Sequence, residues 1–98
     1  MNTVSTEPTL IETLVYGRPA EWEKHELGAT TRFVKPIAAH DPLLKAQVAQ
    51  RYDELGFVPM FFREQGREFV ALEGIKSQGR YASVEQAFVE QILGRITN

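Results

Sequence analysis

The chain has 98 residues, 43% of them apolar, with 11 Lys and Arg against 13 Asp and Glu for a net charge of −2, and it contains no cysteine. A chain of this size supports one hydrophobic core and not two, its composition is that of a folded globule, and the missing thiol excludes disulfide frameworks, thiolate metal sites and cysteine nucleophiles. The near-neutral balance offers neither the basic footprint of nonspecific nucleic-acid binding nor the dense acidity of a phosphate-backbone mimic.

Residues 1–8 are polar, lack the basic start and apolar stretch of a secretory signal, and are expected to be disordered at the edge of a single domain spanning 1–98. Thr9 to Tyr16 reads as a strand, although Leu10, Ile11, Leu14 and Val15 also suit one face of a helix. Pro19 to Leu27 reads as a short helix opened by Pro19 or as an irregular acidic loop. Thr30 to Pro36 is the next strand, bounded by His40-Asp41-Pro42.

The spacing predicts a helix over Pro42 to Leu55. Asp41 is a suitable N-cap, Pro42 stands where its missing N–H costs nothing, and Gly56 can take the left-handed position after the last turn. Leu44, Val48, Tyr52 and Leu55 form one apolar stripe. Phe57 to Glu73 then predicts a hairpin turning at Gln65-Gly66. That turn sets Glu64 opposite Arg67, Arg63 opposite Glu68, Phe62 opposite Phe69, Phe61 opposite Val70, Met60 opposite Ala71 and Pro59 opposite Leu72. A last helix runs from Val84 to about Ile96, with Ser83 and Gln86 at capping-box spacing. The expected fold class is therefore α+β: a small two-layer sandwich of about four antiparallel strands with two helices on one face, in the order ββαββα.

Few residues in this chain suit catalysis. His25 and His40 are 15 positions apart and do not share a helical face, so a metal site would need the acidic segment Glu21, Glu23 and Glu26 to fold back on itself. The three serines, Ser5, Ser77 and Ser83, lie outside any nucleophile elbow. Gly74 to Tyr81 resembles a phosphate-binding loop, but Arg80 occupies the lysine position and Tyr81 replaces the magnesium-binding hydroxyl. What remains is an anion-binding candidate at Lys76, Ser77 and Arg80. No catalytic residue, cofactor or metal is assigned, and the chain reads as non-enzymatic.

The hairpin asks for a partner. One of its faces carries Val58, Met60, Phe62, Phe69 and Ala71, and the other carries Phe57, Pro59, Phe61, Val70 and Leu72. Helices in a two-layer fold cover one face only, and an antiparallel strand with a solvated face normally alternates apolar with polar. The uncovered face is expected to be an interaction surface, built from Pro59, Phe61, Val70 and Leu72 with Arg63, Arg67 and Glu68 at its rim. Pro59, having no N–H, suits an outer strand, so residues 57–64 are expected at an edge.

The leading functional reading is a non-catalytic protein-binding module, an adaptor or inhibitor docking on a larger protein or nucleoprotein complex, with a homodimer also physical. Small inhibitors encoded by phages and mobile elements, anti-CRISPR proteins among them, share this economy of size, an analogy of class carried by no motif here. The alternative binds nucleic acid or a phosphate ligand, stacking on Phe33, Phe61 and Tyr81 beside Arg32, Lys35, Arg63, Arg67, Lys76 and Arg80. No run approaches the ~18 apolar residues of a membrane span, and a cytoplasmic location is expected.

Overall fold

A computed structural model describes residues 6–76 and 81–97 of the chain. Helix α1 (Thr6–Tyr16) leads through a 3-10 turn (Pro19–Glu21) into strands β1 (Glu23–Leu27) and β2 (Thr30–Pro36). Helix α2 (Pro42–Glu54) and strands β3 (Phe57–Glu64) and β4 (Arg67–Ile75) follow. The C-terminal helical segment comprises α3 (Val84–Phe88), a π-helical turn (Val89–Leu93) and α4 (Gly94–Thr97). The four strands form one antiparallel sheet in the order β1-β2-β4-β3, with the helices packed on one face.

The expected α+β class therefore holds, with a change in the first third. Thr9–Tyr16 is helical, because Ile11, Leu14, Val15 and Tyr16 all reach the same core and only a helical period brings them to one side. The partner strand of β2 is instead Glu23–Leu27, inside the segment expected to be helix or loop. Its alternating charges hid it, since an edge strand needs no apolar face of its own. The disorder expected of residues 1–8 falls partly on residues 1–5, outside the described residues, while Thr6 already begins α1.

Helix α2 starts where the sequence predicts. The Asp41 side chain accepts the Leu43 N–H at 2.9 Å, Pro42 occupies the first turn, and Gly56 has φ 99° after the last one. Val48, Tyr52 and Leu55 from the predicted stripe are buried. Ser83 likewise caps α3 by accepting the Gln86 N–H at 3.2 Å. The return bond differs from a capping box: the Gln86 side chain accepts from Ala82 N–H at 2.9 Å, one residue earlier than Ser83.

The β3–β4 register follows the sequence reading at all six expected pairs from Glu64↔Arg67 to Pro59↔Leu72. Gln65 (φ 53°) and Gly66 (φ 80°) both lie in the left-handed region, as a two-residue hairpin turn requires. Beyond Pro59 the register shifts, with Val58 pairing Gly74 and Phe57 pairing Ile75, so Glu73 is an extra residue. The consequence is steric. Strict alternation would send Leu72 and Ile75 to opposite faces, whereas the extra residue lets both reach the core.

The core lies between the helices and the face bearing Phe33, Phe57, Val70 and Leu72. The Phe33 and Phe88 rings stack at 3.9 Å, and Trp22 meets Phe88 edge-on at 5.0 Å. Burying Phe33 and Phe88 is worth roughly 1.5–3 kcal/mol each. The carbonyls left over at the end of α1 are satisfied from the core: the Tyr52 hydroxyl donates to Val15 O and the Trp22 indole N–H donates to Tyr16 O at 2.9 Å. Burial raises the Tyr52 pKa far above the ordinary phenol range, so the hydroxyl stays a donor. Tyr52→Phe should therefore cost about 1–3 kcal/mol in denaturant unfolding, the penalty of an unpaired buried carbonyl. A loss below ~0.5 kcal/mol would show that water reaches Val15 O.

Candidate docking face

Side chains on a strand alternate, so the fold fixes which residues stand on the side of the sheet away from the helices. β3 contributes Val58, Met60, Phe62 and Glu64; β4 contributes Arg67, Phe69, Ala71 and Glu73; β2 contributes Arg32, Val34 and Pro36; β1 contributes Glu23 and His25. No helix of the described residues covers this side. Val58 is 48% and Met60 43% exposed, and Phe62 and Phe69, half-buried, stack on one another at 5.4 Å.

The residues expected at the uncovered face stand mostly on the side of the hairpin that the helices cover. Val70 and Leu72 are fully buried beneath the helices, Phe61 packs against the same core, and Pro59 is half-buried on that side. Arg63 and Glu68 also stand on the helix side, where Glu68 bonds Arg63 at 2.9 Å and Lys45 of α2 at 3.1 Å. These bonds, Arg63 first, hold the Glu68 carboxyl below its usual range. Of the seven expected partner-binding residues only Arg67 lies on the open face. Val58, Met60, Phe62 and Phe69, expected on the covered side, stand on the open one with Arg32 beside them. Apolar content and bulk are similar on the two sides, so the hairpin alone does not fix which of them the helices cover.

Electrostatics give the open face its texture. The Arg32 guanidinium lies 5.7 Å from the Phe62 ring centre and 3.8 Å from Glu73, and its Nε is buried without a hydrogen-bond partner. Arg67 lies 5.6 Å from the Phe69 ring. His25 meets Glu23 at 3.1 Å along β1. The long side chains shield the centre, leaving Val34 only 5% exposed and Ala71 buried. The result is an aromatic and aliphatic ridge crossed by two guanidinium planes.

The anion-binding candidate is only partly placed. Lys76 is paired with Asp53 at the end of α2, while Ser77 and Arg80 lie outside the described residues. The residues weighed for nucleic-acid stacking do not share a surface: Phe33 is in the core, Phe61 is on the helix side, and Lys35 is 3% exposed. Arg32 and Arg63 are occupied by Glu73 and Glu68. Among the described residues no group of three His, Asp or Glu is disposed to hold a metal ion, and no helix is long and apolar enough to cross a membrane. An open cleft of about 460 Å³ between the hairpin turn and the β2–α2 connection brings His40 near Arg67, Glu68 and Glu21. Comparison with family models, curated protein sequences and solved structures finds no match to this chain.

Lys35 is a charge carried into the core side of the sheet. Its ammonium donates to the Pro36 carbonyl at 2.9 Å and lies 5.8 Å from the Trp22 ring centre. Burial pushes its pKa below the ordinary lysine value, and the charge of Glu21 offsets this in part. The unfolded chain binds this proton more tightly than the folded one, so stability rises with pH between the lowered folded value and the ordinary one. Lys35→Met should stabilise the fold at neutral pH by about 1 kcal/mol or more, with the gain vanishing as pH approaches the ordinary lysine value. Thermal melts across pH measure it; a destabilised variant would mean that the contacts to Glu21, Trp22 and Pro36 outweigh desolvation.

Proposed function

We propose that the chain is a non-catalytic protein-binding module, an adaptor or inhibitor that acts in the cytoplasm by docking the open face of its sheet on a larger protein. The observation that carries this reading is the apolar run on the open face of the sheet, in which Val58 and Met60 are exposed beside the half-buried, stacked Phe62 and Phe69. Such a patch on a small domain costs solubility and gains nothing for folding, so its use lies in being covered. Flat sheets present side chains in a fixed lattice, which suits recognition by shape more than chemistry on a bound substrate.

Charge indicates the kind of surface that fits. Arg67 lies over the Phe69 ring as a planar cation, while Arg32 already meets Glu73, so the complementary partner is an apolar protein surface with a carboxylate at its border facing Arg67. Aromatic and arginine side chains together are also the usual anchors of protein interfaces.

The test is capture of partner proteins from the native host by the tagged chain, comparing wild type with Met60→Asp and Phe61→Asp. A carboxylate at 60 falls at the centre of the open face and should abolish capture of the specific partner while far-UV circular dichroism is retained. Phe61→Asp strikes the covered side and should act by unfolding. Undiminished capture by a folded Met60→Asp variant would overturn the assignment of the face.

A further inference from the structure

The two outer strands of the sheet are built differently. β1 carries Glu23, Lys24, His25 and Glu26, charges that discourage a further strand from adding. β3 is apolar from Phe57 to Phe62, and no described strand pairs with its outer side. In a hairpin with a two-residue turn the closing pair, Glu64 with Arg67, exchanges hydrogen bonds. Residues 60, 62 and 64 therefore bond to β4, and residues 59, 61 and 63 direct their backbone groups outward. Pro59 has no N–H to offer. Phe61 and Arg63 each present an N–H and a C=O.

We propose that β3 pairs antiparallel with β3 of a second copy of this chain about a twofold axis at Phe62, joining two four-stranded sheets into one of eight. The donor pattern and the charges select both occupant and register. Centring the axis on Met60 or Phe61 sets Pro59 where an N–H is needed and leaves a carbonyl unpaired. Centring it on Arg63 places two guanidiniums directly opposite each other. Centring it on Phe62 sets Phe61 opposite Arg63 of the second copy and Met60 opposite its Glu64. Every outward N–H of Phe61 and Arg63 then meets a carbonyl, no like charges face one another, and each Arg63 meets an aromatic ring. The Phe62–Phe69 stack, 5.4 Å in one copy, continues across the axis into its image. The strand edge carries this inference without reference to what docks on the open face.

The chain has no cysteine, so a single introduced thiol reports the register. Across a non-hydrogen-bonded antiparallel pair the two Cα atoms at 62 would stand about 4.5 Å apart, within disulfide reach. Those at position 60 would stand about 13 Å apart, beyond it. Phe62→Cys should form a disulfide-linked dimer on mild oxidation at dilute protein, and Met60→Cys should not. Sedimentation equilibrium of the wild type should give twice the chain mass, and Arg63→Pro, folded by circular dichroism, should weaken association about tenfold or more by removing two hydrogen bonds. A monomeric mass for the wild type up to its solubility limit would overturn the proposal, as would equal cross-linking of the two cysteine variants. Should Phe62→Cys fail to fold, the wild-type mass and the Arg63→Pro shift decide.

Discussion

The two-residue turn at Gln65-Gly66 sets which side chains reach each face of the sheet. It forces Gln65, a residue with a side chain, to φ 53° beside Gly66 at 80°, and so pins β3 against β4. A slip of one position would carry Val70 and Leu72 out of the core and drive Phe69 and Ala71 in. Core filling on one side and an apolar ridge on the other are therefore two results of the same register. The extra residue at Glu73 extends the arrangement, bringing Ile75 to the core after Leu72 and freeing Glu73 to meet Arg32 on the open face.

The covered side is filled from the helices. Phe33, Phe57, Val70 and Leu72 give the helices a dense surface, and Val48, Tyr52, Phe88 and Ile92 fill it. Side-chain ties then hold the layers in place: Arg51 of α2 bonds Glu12 of α1 at 3.0 Å, Lys24 of β1 bonds Glu85 of α3 at 2.9 Å, and Lys45 reaches Glu68. These contacts are mostly at the surface and each contributes little, so the layers are held chiefly by apolar burial.

Local chemistry made much of this legible in advance. Asp41, Pro42 and Gly56 bounded α2, Ser83 opened α3, and Gln65-Gly66 with its flanking pairs set the hairpin and its six-pair register. The edge position of β3 was legible from Pro59. Where long-range packing decides, the sequence was silent. Thr9–Tyr16 suits either period, and it becomes α1 because Tyr52 and Trp22 are placed to satisfy its final carbonyls. Glu23–Leu27 carries no apolar alternation because it lies at the sheet's edge and pairs only with β2. The choice between the two hairpin faces turned on which side the helices occupy, a question that the ribbon alone does not answer. Of the hairpin's two apolar faces, the one expected to be uncovered is the one that the helices cover.

A single greasy ribbon is sealed by helices on one side, while on the other Val58 and Met60 stand exposed to solvent. Nuclear magnetic resonance with a soluble paramagnetic agent reads this directly from methyl groups. The Met60 and Val58 methyls should be strongly broadened while those of Val70 and Leu72 remain sharp, as their 43%, 48%, 0% and 0% exposures require. Equal broadening of the two sets, or broadening of Val70 and Leu72 alone, would rule out this arrangement of the sheet.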